Sequence, residues 1–113
     1  MSQNRFRLAD TMIELARPVG AVARAVRPHD RDLADQMLRA WTSANNNLNE
    51  GRHQRGNKST NRFDDAMGSA RETRTAILLA EAYGHVPAAK APPLAARIDD
   101  CVAQLDRLLH DPR

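Results

Sequence analysis

The chain has one cysteine, one tryptophan, one tyrosine and two phenylalanines in 113 residues. A lone cysteine excludes an intramolecular disulfide, and Cys101, set among apolar helical positions, reads as a small buried thiol with no redox role. Aromatic residues make up 4% of the chain, and Val and Ile are sparse beside Ala and Leu, a composition of packed helices rather than of a sheet. No run approaches the ~18 to 20 apolar residues that span a bilayer. Met1-Ser2-Gln3-Asn4-Arg5 leads into an amphipathic helix without a signal-peptide core. A cytoplasmic protein with no membrane partner is the expectation.

Motifs of chemistry are also missing. There is no Walker-type phosphate loop, nucleophile elbow or Rossmann fingerprint. His29, His53, His85 and His110 are scattered, with no spacing that sets two on one helical face as zinc ligation would need. The expectation is a protein with no catalytic residue, no metal site, no cofactor and no small-molecule substrate, and hence not an enzyme.

What the chain does have is 42% apolar residues, enough for one core. A single domain over residues 1–113 is expected. From 7 to 27, Leu8, Met12, Leu15, Val19, Val22 and Val26 alternate four and three apart and define one helical stripe. Pro18 removes a backbone donor and crowds the carbonyl of Glu14, predicting a bend or a junction of two segments. Asp30 is placed to cap a second helix over 31–51, with Ala34, Met37, Trp41, Ala44 and Leu48 as its core stripe and Trp41 as the one large anchor. A third helix is predicted over 60–83, capped by Ser59 or Thr60, with Asp64 and Asp65 in its first turn and Phe63, Ala66, Ala70, Thr73, Ile77 and Ala80 inside. Gly84 reads as its C′ residue, and Pro87, Pro92 and Pro93 as an extended connection. A fourth helix over 93–110 has Leu94, Ile98, Cys101, Leu105 and Leu108 as its seam. Four rods with short connections imply an all-α, antiparallel up-down-up-down four-helix bundle with a bent first helix.

Beside two core stripes run unusual companions. Gln36, Ala40, Ser43, Asn47 and Glu50 on the second helix, and Asp65, Ser69, Glu72, Ala76 and Leu79 on the third, are small or polar where a solvated face normally carries long charges. Such stripes suggest close approach of another backbone, from a neighbouring helix or another subunit. Gly51 reads as the end of the second helix, and Gly68 as a point of close approach. Glu50 and Glu72 would face one another on antiparallel neighbours; Arg39, Arg71 and Arg74 are candidate partners, and structural pairing is the favoured role.

Net charge is only +3, so its distribution matters more than its sign. Arg52, Arg55, Lys58 and Arg62 put four cations in eleven residues with no acid among them. This segment can contact phosphates, without aromatics to stack on bases, or it can be a solvated surface.

Ser43, Asn47, Glu50 and Gly51, in the pattern SxxxNxxEG, followed by a basic loop, Gly68-Ser69-x-x-Glu72, Arg74 and a Tyr83-Gly84 ending, resemble the four-helix bundle family of 23S rRNA intervening-sequence proteins. The accessory variability determinant of diversity-generating retroelements falls in the same broad group. The similarity runs over about residues 8 to 110. It implies a homopentameric ring of antiparallel bundles, with RNA, DNA or a reverse transcriptase as partner classes. Asn46, often Ser in the family, and Asp65, usually apolar there, depart from the pattern. The resulting expectation is a non-enzymatic oligomer that binds nucleic acid or a nucleoprotein through Arg52, Arg55, Lys58 and Arg62. The alternative is a protein-interaction scaffold or an accessory subunit of a reverse transcriptase. In either case Ser43, Asn47, Glu50, Gly51, Gly68, Ser69 and Glu72 serve structure or an interface.

Overall fold

The computed structural model describes residues 2–110, with side chains from Arg7 to His110. The described residues form helices α1 (Ser2–Glu14), α2 (Ala16–Val26), α3 (Arg31–Arg52), α4 (Asn57–Ala82) and α5 (Ala91–Leu109), and no strand. The first two are one bent rod. Backbone bonds continue across the joint, from the N–H of Leu15 to the Thr11 carbonyl and from that of Val19 to Leu15, both at 3.0 Å. Pro18 has no N–H for the carbonyl of Glu14, and the helix breaks one turn before the proline, which is tolerated in the opening turn of α2.

Side-chain and backbone bonds fix the order of the rods. The indole Nε1–H of Trp41 donates to the Met12 carbonyl at 2.9 Å, tying α3 to the last turn of α1. Ser43 and Ser69 hydroxyls meet at 2.9 Å between α3 and α4. The Arg74 guanidinium meets Asp99 at 2.6 Å between α4 and α5. Each successive rod reverses direction, as short connections demand, giving the antiparallel four-helix bundle.

Every residue assigned to the four core stripes is buried, from Leu8 to Leu108. The 3.6-residue period is clear in α2, α3 and α5 and weak in α4, and burying these stripes is what the fold gains from. The interior also takes in Leu33, Met67, Val86, Ala91 and Ala95. Burial pushes the Cys101 thiol up to about 11, with Asp100 adding to the rise and Arg97 opposing it. The thiol is therefore protonated at neutral pH and a poor nucleophile.

Helix ends follow local chemistry, with three departures from expectation. Asp30 caps α3 as predicted, its Oδ1 accepting from the Leu33 N–H at 3.0 Å. Gly84, at φ 80°, closes α4: its N–H donates to Glu81 and the N–H of His85 to Ala80, both at 2.9 Å. Neither Ser59 nor Thr60 caps α4, however. The helix opens earlier, on Gly56, and both hydroxyls lie inside it, Thr60 donating back to the Gly56 carbonyl at 3.2 Å. Asp64 and Asp65 consequently sit beyond the first turn. Pro92 and Pro93 are not in an extended connection but in the opening turn of α5, where the missing N–H costs nothing. Gly51 does not end α3, which continues through it to Arg52.

Candidate functional site

The basic segment is a tight helical hairpin tip rather than a long loop. Only residues 53–56 lie outside helix between α3 and α4. The N–H of His53 donates to Glu50 and that of Gln54 to Gly51, both at 3.2 Å. Gly56 turns the chain at φ 62°, ψ −137°, a conformation that side chains rarely adopt. Beneath the turn, the buried Ser59 hydroxyl donates to the Gly51 carbonyl at 2.8 Å. A Cβ at Gly51 would stand 2.7 and 2.8 Å from ring carbons of Phe63 and 3.1 Å from the Arg62 Cβ. Glycine at 51 thus lets α4 come against α3 just below the tip, and the tip is held as one piece.

Four cations ride on this scaffold in different states. Arg55 and Lys58 are exposed, and Arg52 is half-buried. Arg62, also half-buried, turns into the α3–α4 groove and donates from Nη1 to the Asn47 Oδ1 at 3.1 Å. The tip brings Arg52, Arg55 and Lys58 to one end of the molecule, whereas Arg62 belongs equally to the seam below. α4 opens there with no side-chain cap and no acid in its first turn, so its positive dipole end adds to the same field. With Asp99 opposite Arg74, α5 stops about two turns short of the start of α4, whereas α1, with Met12 level with Trp41, reaches close to the tip.

The companion stripes form the open side of the α3–α4 pair. Asn47 Nδ2 donates to the Ser43 carbonyl at 3.0 Å and hydroxyl at 3.2 Å. Ser69–Ser43–Asn47–Arg62 is therefore a continuous hydrogen-bonded line. Ala40 and Ala76 are buried, whereas Gln36, Glu50, Asp65 and Glu72 are exposed and Leu79 keeps 38% of its surface. Two shallow clefts flank the line, about 480 Å³ beside Leu38, Arg39, Asn46, Glu50 and Arg62, and about 470 Å³ beside Asp64, Asp65, Gly68 and Glu72.

One expectation for this side fails and another is narrowed to contact between chains. Glu50 and Glu72 do not face each other: with Ser43 level with Ser69, Glu50 lies toward the tip and Glu72 away from it, about 15 Å apart along the helices. Arg74 is taken by Asp99, and among the described residues neither glutamate is in an ion pair and no cluster of three metal-ligating side chains exists. Gly68 makes no close approach within the chain, since a Cβ there would meet nothing within 4 Å. A mid-helix glycine facing open space costs about 0.5 to 1 kcal/mol relative to alanine. Gly68→Ala is accordingly expected to stabilise the fold by that amount, read as a higher urea midpoint at low protein concentration.

Periodicity within single helices gave no hint of the histidine pair. His29, after α2, and His85, after α4, lie in turns at the end opposite the basic tip, and their rings stack at 5.2 Å and 1°, with Tyr83 tilted against His85 at 5.7 Å. Parallel imidazole planes share no in-plane point, so this arrangement does not direct two nitrogens at one metal. The only signal available in the sequence was topological: alternate turns of an antiparallel bundle fall at one end.

A model of the family described as 23S rRNA-intervening sequence protein matches residues 5–107. No curated protein matches the chain. Among solved structures, the chain is similar to a protein of unknown function from the S23 ribosomal protein family of Bacteroides thetaiotaomicron, at 15% identity and a TM-score of 0.84, over 96% of this chain and 99% of that one. At that identity the likeness establishes the shared fold. Neither comparison indicates an enzymatic family, and among the described residues no helix is long and apolar enough to cross a membrane.

Proposed function

The chain belongs to the 23S rRNA-intervening sequence protein family, and from that premise we propose that it is a non-enzymatic, self-assembling helical bundle that contacts nucleic-acid backbone through its basic tip. The observation that carries this reading is the tip itself. Arg52, Arg55 and Lys58 sit at one end of the bundle on a backbone locked by Gly51, Ser59 and Phe63, beside the open N-terminus of a 26-residue helix. Phosphates suit this surface: the cations and helix end supply charge, and no Phe, Tyr or Trp lies in the tip to stack on bases. Few charges per copy give weak binding, and repetition in an assembly raises it through effective concentration.

Salt titration of binding to RNA and DNA oligonucleotides tests the reading. Affinity is expected to fall linearly on a log–log plot, and Arg55→Ala and Lys58→Ala are each expected to flatten the slope by roughly 0.7 to 0.9. Binding that ignores salt, or that survives replacement of Arg52, Arg55, Lys58 and Arg62 together by Ala, would refute it and leave a protein-interaction scaffold.

A further inference from the structure

We infer that copies of this chain meet through α2 of one and α4 of the next, with Arg17 and Arg24 set against Asp65 and Glu72 across Gly20 and Gly68. The inference rests on the reading of the chain as self-assembling and names the surfaces involved.

The two helices carry matching ladders. Arg17, Gly20 and Arg24 are spaced three and four apart on the outer side of α2, and Asp65, Gly68 and Glu72 repeat that spacing on α4. Each charge pair spans two turns, about 10.5 Å. All four charged side chains are exposed, and none is in an ion pair among the described residues. The cleft along the α4 ladder is lined by Asp64, Asp65 and Glu72 with no cation. Opposite charge at equal spacing is the complementarity that fixes register between two surfaces.

The glycines supply a separate observation. Gly68 faces open space within one chain, and a Cβ at Gly20 would meet only a guanidinium nitrogen of Arg24, at 3.5 Å. The fold of a single chain gives no reason for glycine at either position. Facing one another, they let two helix backbones approach closely at the centre of the charge ladder. Ile13, 64% exposed one turn before Arg17, extends the same stripe with an apolar side chain.

Direction agrees with the pairing. α2 and α4 are each antiparallel to α3 and so run the same way, and parallel packing sets Arg17 at Asp65, Gly20 at Gly68 and Arg24 at Glu72. Within one chain the α4 ladder lies roughly 15 Å nearer the tip than the α2 ladder, given the Trp41–Met12 and Ser43–Ser69 bonds. Adjacent bundles are therefore staggered and inclined to the axis of the assembly. Because two different surfaces meet, the contact is heterologous and propagates until a ring closes.

Light scattering on the full chain at micromolar concentration is the test. The wild type is expected to run as a multiple of 12.6 kDa, R17E/R24E as a single chain, and R17E/R24E/D65R/E72R as the wild-type multiple again. Gly68→Leu is expected to dissociate the assembly while leaving the helical circular dichroism intact. A single-chain wild type would refute self-assembly altogether. A wild-type multiple that both R17E/R24E and Gly68→Leu leave unchanged would overturn this contact alone, as would dissociation by R17E/R24E without restoration by the fourfold swap. Should R17E/R24E lose helical signal, Arg17→Ala/Arg24→Ala with Gly68→Leu decides by the same criteria.

Discussion

Replacing Trp41 by Ala is expected to destabilise the fold by about 3 to 5 kcal/mol, lowering the melting temperature by on the order of 15 °C or more. The indole is 2% exposed and the largest of the fully buried side chains. Its removal opens a cavity that the rest of the core fills only in part. The loss reaches beyond volume. The Nε1–H bond to the Met12 carbonyl joins α3 to the last turn of α1, immediately before the break at Leu15. Trp41→Phe keeps most of the apolar contact and gives up that bond, with an expected cost of about 1 to 3 kcal/mol. Urea unfolding followed by far-ultraviolet circular dichroism checks both. Equal losses for Phe and Ala would make the hydrogen bond dominant, and a loss below about 1 kcal/mol for Ala would show that Trp41 is not the anchor of the core.

Gly51→Val is expected to cost about 2 to 3 kcal/mol by overpacking, although helix propensity alone favours replacing glycine. The sign is decided by contact: the first added carbon already falls within 2.8 Å of the Phe63 ring, which is 1% exposed and has nowhere to turn. Gly68→Val supplies the contrast, because the same change on the next helix meets open space. Thermal melting of both variants at low protein concentration is expected to separate them, with Gly51→Val falling and Gly68→Val nearly unchanged. If the two melt alike, close approach at Gly51 is not what holds the tip. A loss at Gly51 is also expected to weaken nucleic-acid binding without removing any cation, since the arginines of the tip depend on that packing for their positions.

How far the site was legible depended on whether its signal lay within one helix. Tip composition was plain, since Arg52, Arg55, Lys58 and Arg62 fall within eleven residues. Their division was not: Arg62 is half-buried because Asn47 lies across the groove, fifteen residues away. Ser43, Asn47 and Ser69 were recognisable as unusual from their stripes, and the structure joins them in one hydrogen-bonded line. Gly51 and Gly68 look alike as sequence. One is pressed against Phe63 and the other faces outward, a difference set by helix rotation in the packed bundle.

By itself the sequence determined the class of fold, the four rods, the bend before Pro18, the Asp30 and Gly84 ends and the core stripes, because each depends on local backbone chemistry or on a 3.6-residue period. Tertiary structure alone decided what crosses from rod to rod. It fixed the early start of α4 over Ser59, the separation of Glu50 from Glu72, the pairing of Arg74 with Asp99 and the stacking of His29 on His85. These follow from the relative height and rotation of antiparallel helices, which side-chain packing settles only when all four rods are in place.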